Sequence, residues 1–362
     1  MEANQDMSES RVVVIDPLRD ARWDSFVESH AFGWICHLSS WKRILEESFP
    51  HMKGHYLALI NERENTIKAA LPVFEVRSWL TGNRLVSIPF ATLCDPLIST
   101  SNEMEILLGA AVNLANELGT ERIEVRALAS SDLIQDSRLY RDSFYKHHFL
   151  LLDTNLEELK KSFHRTCVRQ RIERALKSSL SLREAENETD LKNFFCLYMM
   201  TRKRLGLPPQ PYTFIKILWE ILLPSKKLSL LLAEHNGKAV AGIILFKFKD
   251  RVSVEFSAFD ESYLNISPTH YLFWEAIKLA YHQGYKIFDF GRTAITNKPL
   301  MDFKGRWSTK VVDLPQFYYP NTGNGRRNNE SSFSYNVIQI LCRRSPDFAL
   351  PYIGNFCYRH LG

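Results

Sequence analysis

Two stretches of this chain follow one plan, and that repetition confines it to folds built from two like halves. In the first, His55 to Ile60, a polar turn at Asn61 to Asn65 and Thr66 to Val76 read as a β-hairpin. In the second, Leu230 to Glu234, a turn at His235 to Lys238 and Ala239 to Lys247 read the same way, with KAALPVF at 68–74 facing VAGIILF at 240–246. Strand character follows each hairpin, at Leu85 to Ile88 and at Val252 to Phe259. A helical period comes next, Met104 to Leu118 stopped by Gly119 and Pro268 to Gln283 stopped by Gly284. There the offset is 165 positions: Ala111, Leu114, Ala115, Gly119 and Glu124 fall on Ala276, Leu279, Ala280, Gly284 and Asp289. Closing strands at Arg122 to Ala127 and Ile287 to Phe290 complete two α/β sandwiches with mixed sheets.

A chain of 362 residues with 45% hydrophobic side chains can bury two such cores. The expected division is a disordered start at 1–10, a first domain at 11–155, a second at 156–320, and a polar linker with an amphipathic tail at 321–362. The first domain should open with a strand at Arg11 to Asp16 and two helices, one carrying Trp23, Phe26 and Val27. The other, carrying Trp41, Ile44, Leu45 and Phe49, has Ser39 or Ser40 as its cap. A net charge of +5 is too mild to signal a DNA-binding protein, so any basic surface must be local. The six cysteines form no C-x-x-C and have no histidine at zinc-finger spacing, which predicts reduced thiols and no metal site. With a polar amino terminus and no run of about 18 apolar residues, a cytoplasmic protein is expected, at most resting on the inner membrane face.

The chemical signals concentrate in KIFDFGRTAITNKPLMDFKGRWSTKVVDLPQFYYP at 286–320. A strand ends there in Gly291 and Arg292, where the backbone can turn tightly and present a permanent cation. Lys304 then stands between Phe303 and Trp307 in sequence, ahead of a further strand at Val311 to Tyr319. No G-x-S-x-G occurs and no cysteine has an interpretable histidine partner, so a covalent enzyme intermediate is not expected. Lys304 is the candidate for transition-state charge. Asp289 would orient the Arg292 loop or, with its pKa raised by burial, act as base.

These segments resemble FemAB-type transferases, in particular the branch associated with exopolysaccharide and PEP-CTERM export systems. FDFGRT at 288–293 and FKGRW at 303–307 are similar to that family's closing D-F-G-R and F-K-x-x-W, with Ser308 where the family carries glycine. The resemblance implies tandem GNAT-like domains. In GNAT enzymes two neighbouring strands splay apart and hold the acyl donor's carbonyl; here the opening would lie between Val252 to Phe259 and Ile287 to Phe290. It also implies direct N-acyl or aminoacyl transfer to a cell-envelope polysaccharide or peptidoglycan precursor. Two alternatives stay open: an acetyl-CoA-dependent N-acetyltransferase of exopolysaccharide biosynthesis, and a non-catalytic saccharide- or nucleotide-sugar-binding member.

Further contacts follow from the same comparison. Seven basic residues against one acid between Lys160 and Lys177, with an apolar stripe, read as one helix whose cationic face, Arg165 and Arg169 included, meets a phosphorylated or lipid-linked saccharide acceptor or tRNA. Arg202 and Arg204, ahead of Gly206 and Pro208, resemble the family's acceptor wall, and Asp95 could supply the acid of a G-P-x-x-D element whose last position here is Ser99. Ser267, Thr269 and His270 open a helix whose positive end suits an anionic donor. The glycine loop with which CoA-using GNAT enzymes wrap pyrophosphate is missing from ESYLNISPTH, leaving aminoacyl-tRNA and acetyl-CoA as rival donors, with no bound cofactor expected. The tail, YNVIQILCRRSPDFALPYIGNFCYRHLG, reads either as docked on the second domain or as touching an anionic membrane.

Overall fold

The computed structural model describes residues 10–322 and 333–361, so the expected disordered start and most of the expected linker lie outside the described residues. The chain opens with β1 (Ser10–Ile15), α1 (Arg22–Ser29), α2 (Ser39–Ser48), β2 (Met52–Asn61), β3 (Thr66–Val76) and β4 (Arg84–Ser87). Next come α3 (Ser101–Leu118), β5 (Ile123–Arg126), β6 (Tyr140–Leu151), α4 (Leu156–Ser162), a π-turn at Arg165–Arg169 and α5 (Gln170–Leu176). β7 (Leu180–Glu184), α6 (Glu188–Leu205), α7 (Tyr212–Leu222), β8 (Leu228–His235), β9 (Lys238–Phe248) and β10 (Arg251–Phe259) follow. The rest is α8 (Pro268–His282), β11 (Ile287–Ala294), α9 (Lys298–Gly305), β12 (Lys310–Tyr319), α10 (Phe333–Arg344) and α11 (Leu350–His360).

Local chemistry accounts for these boundaries. Thr100 accepts the Glu103 amide and Glu103 reaches back to the Thr100 amide, so α3 starts with a reciprocal cap, and it ends at Gly119 with φ +65°. Its inward side, Met104, Leu107, Leu108, Ala111 and Ala115, is fully buried. The serine expected to cap α2 serves otherwise. Asp24 of α1 takes both the amide and the hydroxyl of Ser39, at 2.7 Å each, so that serine ties two helices together.

The chain divides into two compact units. The first takes the residues up to Phe144, those from Asp313 into the end of β12, and those from Tyr358 onward; the second takes Tyr145–Val312 and the stretch ending at Cys357. Its sheet runs β1-β2-β3-β4-β5-β12 in the first unit and β7-β8-β9-β10-β11-β6 in the second. Both are antiparallel except for one parallel pair, β4 with β5 and β10 with β11. In both, a strand from the other half of the sequence pairs antiparallel beyond it: β12 on β5, and β6 on β11. This exchange departs from the expected division at residue 155, which kept 310–319 with the second half. β6 was not foreseen, because YRDSFYKHHFLL lacks a clean apolar alternation.

The core of the first unit gathers the inner faces of β2, β3, β5 and α3, including Leu57, Leu71, Val73 and Val125. In the second, α8 lies across the sheet with Phe273, Ala276, Ile277 and Ala280 buried against Ile243, Phe288 and Phe290. Fully burying a side chain of this size stabilises by about 1.5–3 kcal/mol. The basic stretch is not one helix. Phe163 leaves helical geometry after α4, with ψ 149°, and sinks to 1% exposure against Trp274 and Trp307. Burial of that ring outweighs continuation of the helix. Among the described residues no helix is long and apolar enough to cross a membrane.

Candidate active site

The parallel pairing of β10 with β11 runs only from Arg251–Ile287 to Ser253–Asp289, although the strands continue to Phe259 and Ala294. Beyond the third pair they part. Two irregularities frame the opening: β10 slips register against β9 between Val254 and Phe256, leaving Glu255 on a bulge, and β11 slips against β6 between Asp289 and Gly291. Gly291 takes φ +73°, which a side chain would resist, so glycine makes this bend.

Asp289 fastens the bend. Fully buried, it accepts the Gly291 amide at 2.6 Å and the Arg251 guanidinium at 2.7 Å, while His147 Nε2 lies 3.0 Å away. Burial alone would raise its pKa, but His147, Arg251 and the Gly291 amide hold it well below the usual carboxylate range. The expectation that burial would ready it as a base is therefore corrected: Asp289 is a permanent anion that shapes the β11 bulge.

Lys304, on α9, is 6% exposed and donates to the carbonyls of Gly291 at 3.0 Å and Arg292 at 2.9 Å. Burial lowers its pKa to about 7, with Asp289 opposing and Arg292 adding to the fall. Across the opening stands Glu255, whose charge bears on Lys304 and whose carboxyl accepts the Ser253 hydroxyl at 2.7 Å; burial pushes it up to about 7, the Ser253 hydrogen bond opposing and the Asp289 charge adding. An acid and an ammonium thus titrate near neutrality at one opened strand pair. Sequence reasoning passed over Glu255. Its only signal was a lone acid in the otherwise apolar and small run VSVEFSAF, on a strand already expected to border the splay.

The other expected residues fall into three groups. Arg292 remains at the bulge, its guanidinium 4.9 Å from the Tyr145 ring centre. Phe303, Trp307 and His270 form an aromatic cluster instead of flanking the ammonium. Trp307 is fully buried, His270 stacks on it at 5.8 Å, and Phe273 and Phe290 complete the group. Helical spacing sends these rings into the core while Lys304 reaches back to β11. Burial lowers the His270 pKa to about 4, with Arg171 contributing, so it stays neutral. Ser267 makes no side-chain cap, because its own φ is +54°, and Thr269 is half-buried.

Three residues do structural work away from the opening. Arg202 donates to the Pro208 carbonyl at 2.7 and 3.1 Å, closing the turn after α6. Arg204 lies 4.1 Å from the Phe259 ring centre and 3.4 Å from Glu261. Asp95, in the first unit, accepts the amides of Leu128 and Ser130 and the Ser130 hydroxyl at 2.7–3.0 Å, which holds two loops together. The Ser99 amide binds Glu103 in the α3 cap.

The exposed Arg165 and half-buried Arg169 sit on the π-turn after Phe163. That turn is tied to the segment after α9 by the His164 amide, which donates to the Arg306 carbonyl at 2.9 Å. Next to it is an open pocket of about 470 Å³ lined by Ser162, His164, Met301, Asp302, Gly305, Arg306 and Ser308. Lys304 thus reaches the splay from a helix whose Met301, Asp302 and Gly305 line that pocket. β6 adds His148, 3.3 Å from both Met301 Sδ and Thr309 Oγ1, and with a pKa lowered to about 4 by burial and by Lys304.

A mixed sheet that opens beside a parallel strand pair, with an acid on one strand and a helix across it, defines a GNAT-type acyltransferase domain. Residues 162–304 match the acetyltransferase (GNAT) domain family, and the chain is an acyltransferase. Among solved structures, FemX shares 16% identity at a TM-score of 0.70, the match covering 91% of this chain and all of that one. The C-terminal domain of a putative lysylphosphatidylglycerol synthetase from Agrobacterium fabrum shares 12% at 0.56, over 90% and 96%. A tandem GNAT protein from the clavulanic acid biosynthesis pathway shares 11% at 0.56, over 86% and 98%. At these identities the likeness establishes the fold. No curated protein matches the chain.

Proposed function

We propose that the second unit transfers an aminoacyl group directly from an aminoacyl-tRNA to an amine of a phosphate-bearing cell-envelope precursor, of polysaccharide or peptidoglycan. The observation that carries this reading is the pair Glu255 and Lys304 at the β10–β11 opening. The donor's ester carbonyl would lie between the parted strands. As the amine attacks the carbonyl carbon, Glu255 would take its proton and pass it to the departing ribose oxygen, so a C–N bond forms as the C–O bond breaks. Lys304, with the opening's backbone groups, would stabilise the oxyanion. The pocket beside α9, with Arg306 and His164, suits a phosphate of acceptor or donor.

The donor choice is supported by the chain that feeds α8. In place of a glycine loop able to wrap a pyrophosphate there is a 3₁₀ turn, Glu261–Ile266, followed by Ser267. The lysylphosphatidylglycerol synthetase domain is a fold neighbour whose name bears on transfer of an aminoacyl group.

The test is to incubate purified protein with radiolabelled aminoacyl-tRNAs or acetyl-CoA and with nucleotide- or lipid-linked envelope precursors. Label should pass from aminoacyl-tRNA to the precursor, and Glu255→Gln should stop it. Transfer from acetyl-CoA alone would replace the donor, and tight precursor binding without transfer from either would leave a binding protein.

A further inference from the structure

α10 and α11 each bury one side and leave the other more exposed. The buried side is firmly seated: Cys342, Leu350 and Cys357 are covered, and Gly354 packs so tightly that a Cβ there would lie 2.3 Å from the Pro209 carbonyl oxygen. Lys203 also pairs with Asp347 at 2.6 Å. The more exposed side carries Val337, Ile340 and Leu341 on α10, then Phe348, Tyr352 and Phe356 at a spacing of four. Phe348 is 77% and Tyr352 74% exposed. Six of the eighteen large apolar side chains exposed among the described residues thus fall within residues 337–356, which is more than the usual scatter.

Charge decides what this patch meets. Arg343 and Arg344 are exposed on α10, Arg343 with its guanidinium 3.5 Å from the Leu205 carbonyl, while the one acid of the segment, Asp347, is already paired with Lys203. A second copy placed face to face would crowd arginines of both copies into one dry interface. An anionic lipid surface instead takes arginines at its headgroups and aromatic rings at the acyl boundary. We propose that the outer faces of α10 and α11 are a docking surface on which the protein lies against an anionic bilayer. This inference does not depend on the acyl-transfer reading.

Flotation with vesicles of phosphatidylglycerol and phosphatidylcholine, set against phosphatidylcholine alone, tests it. The chain should float with the anionic vesicles, less so at high salt. Phe348→Ser, Tyr352→Ser and Phe356→Ser together should weaken the apparent affinity by about tenfold or more at an unchanged melting temperature. If the triple variant melts early, Arg344→Gln alone should weaken it by about fivefold. The proposal is overturned if wild-type protein ignores anionic vesicles or if the variants bind as it does. Self-association that the triple variant abolishes, without vesicle binding by the wild type, would make the face a dimer interface and equally overturn it. Aminoacyl transfer to a soluble acceptor should persist in all variants, which separates this failure from failure of the catalytic reading.

Discussion

The two units share a strand order and a parallel pair at the same place, yet only one has an acid and an ammonium there. In the first unit the last β4–β5 pair is Val86 with Glu124, as Ser253 pairs with Asp289 in the second. Two residues further on, just past the end of β4, stands Ile88, fully buried, where the second unit has Glu255. Two residues beyond the acid stands Arg126, where the second unit has Gly291. Both acids bind the residue two places on. Glu124 binds the Arg126 side chain at 2.8 Å, with both groups buried, and Asp289 binds the Gly291 backbone. In the first unit burial would lower the Arg126 pKa, but Glu124 prevails and holds it above its ordinary value. An apolar side chain and a buried salt bridge stand at the equivalent positions. In the second, glycine keeps the strands apart and two groups near neutrality face the gap.

Substitutions can break this contrast. The largest effect belongs to Glu255→Gln, which should lower kcat by about a thousandfold, on the scale of general acid–base catalysis, with substrate affinity little changed. The wild-type rate should be bell-shaped around pH 7, since Glu255 must be ionised and Lys304 protonated, and Glu255→Gln should flatten the acid limb. A kcat within threefold of wild type would remove Glu255 from the chemistry. Glu124→Gln should do the opposite, costing about 3 kcal/mol in urea unfolding by stranding a buried arginine while leaving kcat per folded molecule intact.

Lys304→Ala should lower kcat about a hundredfold, roughly 2.7 kcal/mol, and Lys304→Arg should rescue poorly because the larger planar guanidinium would place its charge elsewhere than the compact buried ammonium. Loss of acceptor binding without loss of turnover would make it a phosphate clamp. A smaller shift concerns stability. The Glu255 pKa is raised on folding, so stability is lost as pH climbs from the ordinary carboxyl value toward about 7 and stays lost above it. Glu255→Gln should therefore melt a few degrees higher than wild type at pH 8 and alike at pH 4, by calorimetry. Smallest is the triple change Arg165→Ala, Arg169→Ala and Arg174→Ala, expected to weaken acceptor binding by about fivefold at low salt, with the difference closing as salt rises.

How much of this was legible follows residue by residue. The hairpins, α3, α8 and the closing strands were readable because apolar period, Gly119 and the 165-residue offset all agreed. The splay was located through resemblance, and Lys304 was singled out by the residues around it. Its surroundings were misread: Phe303 and Trp307 are helical neighbours whose rings turn into the core, and a linear sequence does not say which way α9 rotates. Arg202 and Arg204 looked free because their partners, a turn carbonyl and an aromatic ring, are ordinary residues. Glu255 depends on a bulge, and bulges leave almost no mark in composition. β6, with its four basic residues, reads as surface until β11 is known to need His147 beside Asp289.

The exchanged strands impose an order of events on synthesis. β5 emerges from the ribosome early, but its outer neighbour, β12, is not complete until Tyr319. At typical elongation speeds of 5–20 residues/s, that edge waits on the order of 10–40 s for its partner strand. Meanwhile β6 is made before the strand it joins, so each sheet is finished only by a segment encoded far from it. The first unit's sheet is thus closed only late in synthesis, after most of the second unit has been made.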